Sequence, residues 1–298
     1  MRRAALGVTL PQFTGDPDAF VAAALRAEAL ELDSIWVFDH LWPLSGGKHR
    51  PVIEAWTALA WLAAETSRVR IGTLVTRSSL RHPAVLAKMA ATIAAIAPGR
   101  LIVGIGSGDA KSRAENEAYG IPYQAAGERV AQLADTVTAL LRLWREPVVT
   151  AAETFVELSE LPSSPRPSPV PELWVAGRSP ALLELAGRSA DGWNGWGGGP
   201  EAFAADVAAL ALAARGRRVT PTWAGLAILG ASDDEARAKL GARAPSEYVT
   251  GGPATVAAHL SGMERAGARH LIVTFPDAGR AGVFERFAEE VRPRIGAI

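Results

Sequence analysis

Short apolar runs alternate with amphipathic stretches along the whole chain, and this alternation limits the fold more than any other feature. Ala4 to Leu10 is a mainly apolar run closed by Pro11 and reads as a buried strand. Asp16 and Pro17 then have the form of a helix start, with proline at the first helical position. Phe20, Ala24 and Ala27 follow at helical spacing. The same unit recurs. Strand-like runs cover Ser34 to Phe38, Val69 to Val75, Leu101 to Ile105, Leu173 to Ala176, Gly192 to Asn194, Thr222 to Leu229 and His270 to Thr274. Helical stripes carry Trp56, Leu59, Ala60 and Ala63, then Val85, Met89 and Ile96, then Val130, Leu133, Val137, Leu140, Leu141 and Trp144. Further helices are read at 182–186, 201–215 and 233–240, and through Val256, Leu260 and Met263 and Phe284, Phe287, Ala288 and Val291.

Continuous apolar strands separated by helices imply a parallel sheet covered on its outer face. About eight such units in 298 residues favour an α/β fold of one domain, residues 1–298, built as a (β/α)8 TIM-type barrel with insertions after some strands. An open doubly wound sheet is the rival arrangement. Residues 146–170 interrupt the pattern with five prolines, followed at once by Pro171, and read as an irregular insertion with one short extended piece around Thr154 to Leu158. A long insertion of this kind serves either a site or only the surface.

Composition removes several functions. The formal net charge is zero, which lacks the basic excess of a nucleic-acid binder. There is no cysteine, so disulfides and thiolate metal sites are excluded. The five histidines show no metal-ligand spacing, so no metal is expected. No G-x-S-x-G elbow is present. The apolar start is too short for a signal peptide, and no uncharged segment approaches the ~20 residues that span a bilayer. A soluble, cytoplasmic protein acting on a small molecule is expected, with no nucleic-acid or membrane partner.

In a barrel of this type the active site lies at the C-terminal strand ends. After the second strand come Asp39, His40 and Trp42. Hydride transfer between a carbonyl and an alcohol needs a proton partner near neutral pH, which suits histidine; the alternative is a turn cap at Asp39 beside a satisfied polar His40. After the third strand come Thr73, Leu74 and Val75, then Arg77 and Arg81. After the fourth, Gly106, Ser107 and Gly108 precede Asp109, and glycines admit close backbone approach to a ring or phosphate. A dinucleotide fold needs G-x-G-x-x-G opening directly into a helix. Here the spacing is G-x-G-x-G and the next helix is read only near Gly127. After the fifth, Ala176, Gly177, Arg178 and Ser179 lead into Pro180. Free N–H groups at such a helix start bind anions and Arg178 adds charge, or Ser179 is a plain cap. Trp193 and Trp196 flank a glycine-rich tract and, with Trp42, are candidate walls of a substrate pocket.

In this order and spacing the stations resemble the bacterial luciferase-like family of flavin- and deazaflavin-dependent oxidoreductases. The matching segments are Leu6 to Pro11, Asp33 to His40, Arg68 to Thr76, Arg81 to Pro83, Leu86 to Lys88, Gly99 to Gly108, Gly177 to Pro180, Ala190 to Asn194, and Gly252 with Pro253. The resemblance implies a TIM-type barrel with a ring system across the strand ends, over a non-proline cis peptide that would fall within Thr73 to Val75. It implies a cofactor phosphate at Gly177, Arg178 and Ser179, and compatibility with a homodimer. Asp39 and His40 followed by Trp42, and an acid after Gly106 to Gly108, are closest to the members that use coenzyme F420. That likeness implies His40 as acid/base and Asp109 as its partner or as a second proton donor. Asp109 departs from the longer Glu of those members, and a Lys/Arg set for a sugar phosphate is not evident. The expected function is an F420-dependent oxidoreductase moving a hydride between the deazaflavin C5 and a small organic substrate. The alternative is an FMN-dependent monooxygenase whose 146–170 insertion shields the site from water. A barrel that binds a ligand without turnover is a third reading, which the presence of Asp39, His40 and Asp109 disfavours.

Overall fold

The computed structural model describes residues 3–43, 47–279 and 282–296; Met1 and Arg2 of the N-terminal run lie outside them. Eight parallel strands close into a barrel among the described residues. They are β1 (Ala5–Thr9), β2 (Ser34–Val37), β3 (Arg70–Thr73), β4 (Leu101–Gly106), β5 (Glu172–Ala176), β6 (Gly192–Trp196), β7 (Thr220–Leu229) and β8 (His270–Thr274). Each pairs with the next, and β8 closes on β1 with Ala5 opposite His270. The open-sheet rival is thereby excluded. Prolines at the first turn start the helices Pro17–Ala29, Pro83–Ile96, Pro180–Ser189, Pro200–Ala214 and Pro253–Arg265. Their missing N–H falls where a helix has no acceptor for it.

Period-two alternation divides the strand side chains between two cores. Ile35 and Val37 face outward to the helices, whereas Trp36, Phe38, Leu74, Ile102, Trp174, Ala224 and Ile272 fill the barrel. Trp36 and Trp174 meet at 5.1 Å between ring centroids. Two indoles in one barrel leave little room beside them on the neighbouring strands. A Cβ on Gly72 would lie 2.5 Å from the Trp36 ring, and one on Gly192 would lie 2.6 Å from the Trp174 ring. Glycine is thus required on β3 and β6 by the volume of the residues opposite.

The barrel floor is polar but enclosed. Trp36 Nε1 donates to Ser34 Oγ at 2.7 Å, and Ser34 Oγ lies 2.7 Å from His270 Nε2. The His270 ring stands edge-on to both indoles. Burial, with the Arg70 charge added, pushes the His270 imidazole down to about 3.

Three elements differ from the sequence expectations. The 146–170 insertion is an antiparallel hairpin, Val148–Ala152 with Glu157–Pro162, in place of an irregular stretch with one extended piece at Thr154 to Leu158. Its turn, closed by Glu153 N–H to the Val156 carbonyl, occupies much of the segment expected to be extended. A seven-residue helix, Ser112–Ala118, precedes the long helix Ala126–Arg145. A short strand, Tyr248–Gly251, runs beside the outer end of β7. No described helix is long and apolar enough to cross a membrane.

Two consequences for stability can be measured. Gly192→Ala should lower the unfolding free energy in urea by about 1–3 kcal/mol, because the methyl group overpacks the Trp174 ring. The folded state refuses the proton that the unfolded chain binds near pH 6.5, so the stability contributed by His270 is complete above that pH and is lost as the pH falls toward about 3. Relative to a His270→Gln variant, the wild-type unfolding free energy should therefore decline across this window, by at most about 1.4 kcal/mol per pH unit.

Candidate functional site

The site is built where β2, β3, β4, β5 and β6 end. β2 runs into Phe38, Asp39 and His40. Phe38 points inward, so Asp39 turns toward the outer side and is 1% exposed. Both its oxygens are engaged: Arg81 binds it through two nitrogens, at 2.5 and 3.1 Å, and Thr76 Oγ1 donates to Oδ2. Arg81 also meets Glu54 at 2.5 Å, and Trp56 Nε1 donates to Thr76 Oγ1. Burial alone would lower the Arg81 guanidinium; the bonds and charges of Asp39 and Glu54 outweigh it and hold it above its ordinary value. Asp39, a cofactor-binding candidate from the sequence, is occupied in tying β2 to the segment that follows β3.

That segment contains the backbone feature the resemblance implied: the Leu74–Val75 peptide is cis. Leu74 faces the barrel beside Phe38, while Thr73 is buried and donates through Oγ1 to the Gly104 carbonyl at 2.7 Å. The glycines of β4 make room here. A Cβ at Gly106 would stand 2.9 Å from Val75, and one at Gly104 would strike the Thr73 carbonyl. Ser107 and Gly108, half-buried, continue the shallow wall.

His40 follows Asp39 and is largely buried. Its Nδ1 lies 2.7 Å from Glu115 Oε2, on the short helix Ser112–Ala118. The second oxygen, Oε1, accepts the Leu41 N–H and forms an ion pair with Arg77 Nη2 at 2.9 Å. Arg77 Nη1 also donates to Asn116 Oδ1 at 2.6 Å, and Tyr119 Oη donates to the Leu41 carbonyl. Burial alone would raise the Glu115 carboxyl. The bonds from His40 and Leu41 and the charges of His40 and Arg77 outweigh it and hold the group below the usual carboxylate range.

Asp109, expected as the acid partner of His40, is exposed. Its Oδ1 accepts from Ser112 N–H at 3.1 Å and from Ser112 Oγ at 3.0 Å. Its side chain secures the entry to the Ser112–Ala118 helix, and Glu115 occupies the place beside the imidazole.

At the end of β5, Ala176 leads to Gly177, whose φ of +124° carries the chain into the next helix. A Cβ there would also collide with Leu182. The Gly177 N–H is taken by the Asn194 carbonyl, and those of Leu182 and Leu183 by Ser179. Among the described residues, the N–H groups of Arg178, Ser179 and Ala181 have no acceptor and form the opening of a helix, where negative charge is favoured. The Arg178 guanidinium turns away to an ion pair with Asp206 at 2.7 Å, beneath Gly198. The charge expected from Arg178 is thus shared with Asp206, and the groups left without a partner at this helix start are backbone N–H groups.

The three tryptophans separate. Trp196 is 45% exposed at the end of β6, edge-on to Phe38, which in turn stacks on Phe13. Trp42 is half-buried on the segment after His40. Trp193 lies on the outer face instead, fully buried against Phe203, with Nε1 donating to the Gly177 carbonyl at 2.7 Å. Strand alternation forces this, because Asn194 and Trp196 flank the inward side. Trp223, also on the outer face, donates in the same way to the Gly197 carbonyl.

Comparison with known proteins gives the family and the fold. The family model for luciferase-like monooxygenases matches residues 3–296. An F420-dependent glucose-6-phosphate dehydrogenase of Beutenbergia cavernae is 30% identical, with 94% of each chain aligned. The protein of that name from Kineococcus radiotolerans is 38% identical over 59% of this chain and 52% of its own. As there, the alignment spans about half the length of most of the curated relatives the chain matches. Among solved structures, an F420-dependent secondary alcohol dehydrogenase in complex with an F420–acetone adduct superposes with a TM-score of 0.86 at 19% identity, covering 99% of both chains. The F420-dependent tetrahydromethanopterin reductase of Methanopyrus kandleri gives 0.81 at 18%, over 99% of this chain and all of that one. At such identities these two show a common fold. The full-length family match and the full-length relative settle descent: the chain belongs to the luciferase-like family.

Proposed function

We propose that this barrel is a coenzyme F420-dependent oxidoreductase acting on a small organic alcohol or carbonyl compound. The observation that carries the reading is His40, held at Nδ1 by a buried carboxylate at a strand end next to the cis Leu74–Val75 peptide. The F420-dependent relatives support it.

The residues present fit such a group. Gly104 and Gly106 leave a shallow wall beside Val75 where a Cβ would intrude, and Leu74 and Phe38 offer an apolar floor to a flat ring. Val75, Gly106, Ser107 and Gly108 would hold the ring, and the helix opening at Gly177, Arg178 and Ser179, beyond Ala176, would take the phosphate through its N–H groups. When bound, F420 supplies a hydride donor or acceptor. His40 handles the proton: with Nδ1 committed to Glu115, Nε2 accepts the hydroxyl proton in the oxidative direction and returns it in the reductive one. Trp42 and Trp196 would border the substrate.

The monooxygenase reading loses the support of the insertion. The 148–162 hairpin joins the end of a helix to the start of β5, at the barrel face opposite the strand ends, and packs Val149, Ala151, Val156 and Leu158 into the outer core. It does not cover the site.

Titration of the purified protein should give F420 binding at least about tenfold tighter than FMN binding, read by fluorescence. Tighter retention of FMN, with oxygen uptake when the FMN is reduced, would overturn the assignment. His40→Ala should keep its affinity for F420 and lose turnover by about 100-fold or more, the usual scale for a general acid–base group; unchanged turnover would remove His40 from the mechanism.

A further inference from the structure

We infer that Glu115 is the positioning residue for His40, fixing the imidazole proton on Nδ1 and leaving Nε2 as the nitrogen that faces substrate. The inference rests on the role of His40 given above and deepens it. Asp109, after the glycines, is too far engaged with Ser112 to do this.

The two oxygens of Glu115 have different duties. Oε1 accepts the Leu41 N–H and pairs with Arg77, both of which present positive hydrogens. Among the described residues, Oε2 meets only the imidazole. A carboxylate has no proton to give, so the His40 nitrogen facing it must be the donor, and a neutral ring then carries its lone pair on Nε2. The side chain is 1% exposed, so water does not compete for either oxygen.

This division separates a positioning role from a merely structural one. In Glu115→Gln the amide oxygen must stay at the Oε1 position, where Leu41 and Arg77 need an acceptor. The amide nitrogen then falls at the Oε2 position and presents a donor to His40 Nδ1. The clamp on residue 41 survives, but the ring must accept at Nδ1 and carry its proton on Nε2. An imidazole in that state has no lone pair for a substrate hydroxyl. The logic is that of histidines whose working nitrogen is set by a partner on the other one.

The test is nitrogen-15 NMR of the His40 ring on the protein without cofactor, at a pH where the ring is neutral. The wild type should show the Nδ1–H tautomer, Glu115→Gln the Nε2–H tautomer, and Asp109→Asn the wild-type signature. Alcohol oxidation by Glu115→Gln should fall by about 100-fold or more in kcat with F420 affinity and thermal midpoint near wild type. An Nε2–H tautomer in the wild type overturns the inference, even if the variant does not fold. So does an unchanged tautomer in Glu115→Gln, or a tautomer that follows Asp109. Failure of F420 to bind while the tautomers behave as expected would instead reject the cofactor assignment and leave the Glu115 role standing.

Discussion

Two indoles inside one barrel set the terms for the rest of the molecule. Trp36 and Trp174 meet at 5.1 Å inside the barrel, and their bulk leaves their partners on the neighbouring strands, Gly72 and Gly192, no room for a side chain. The interior is therefore a solid floor, and a ligand can only sit above it, against Phe38 and Leu74. The indole N–H groups need acceptors when buried. Ser34 serves one and Glu172 the other, which draws His270 and Arg70 into the lower layer.

Above this floor, polar groups are arranged in two independent sets. Asp39, Thr76, Arg81 and Glu54 lie behind the strand ends and hold the backbone after β3 against β2. Glu115, Arg77 and Asn116 lie in front and hold His40 and Leu41. Adjacent residues, 39 and 40, thus belong to opposite sets because strand alternation sends their side chains to opposite sides. One shapes the backbone bed and the other is the imidazole to which the proposed proton transfer falls.

Most of the fold is legible in the sequence, and the exceptions have physical causes. Parallel strands buried on both faces are continuous apolar runs, so each of the eight barrel strands shows itself, and proline marks several helix starts. The hairpin does not, because its alternation of exposed and buried residues is short and prolines end its second strand and crowd the segment beyond it. The Ser112–Ala118 helix is harder still: its buried residues are Ser112, Glu115 and Asn116, all polar, so no apolar period can reveal it. Glu115 escaped for the same reason. Its burial is sustained by partners at positions 40, 41 and 77, which only the closed barrel brings together. His40, the glycines of β4 and the helix start at Gly177 were visible as local patterns. The separation of Trp193 from Trp196 needed the register of β6.

Trp193 and Trp223 work as struts. Each has its ring wedged on the outer face of the barrel, Trp193 against Phe203 and Trp223 beside His259, and each extends a single N–H upward to the carbonyl of a glycine, Gly177 or Gly197. The loops at the rim are thereby fastened from outside, leaving their inward side clear for a guest. It follows that the packing of the surrounding helices and the shape of the rim are mechanically one problem. A helix that shifts against Trp193 moves the same glycine that leads into the helix Pro180–Ser189. Tolerance to change in the helical coat should accordingly be lowest behind β6 and β7, far from any atom that reacts.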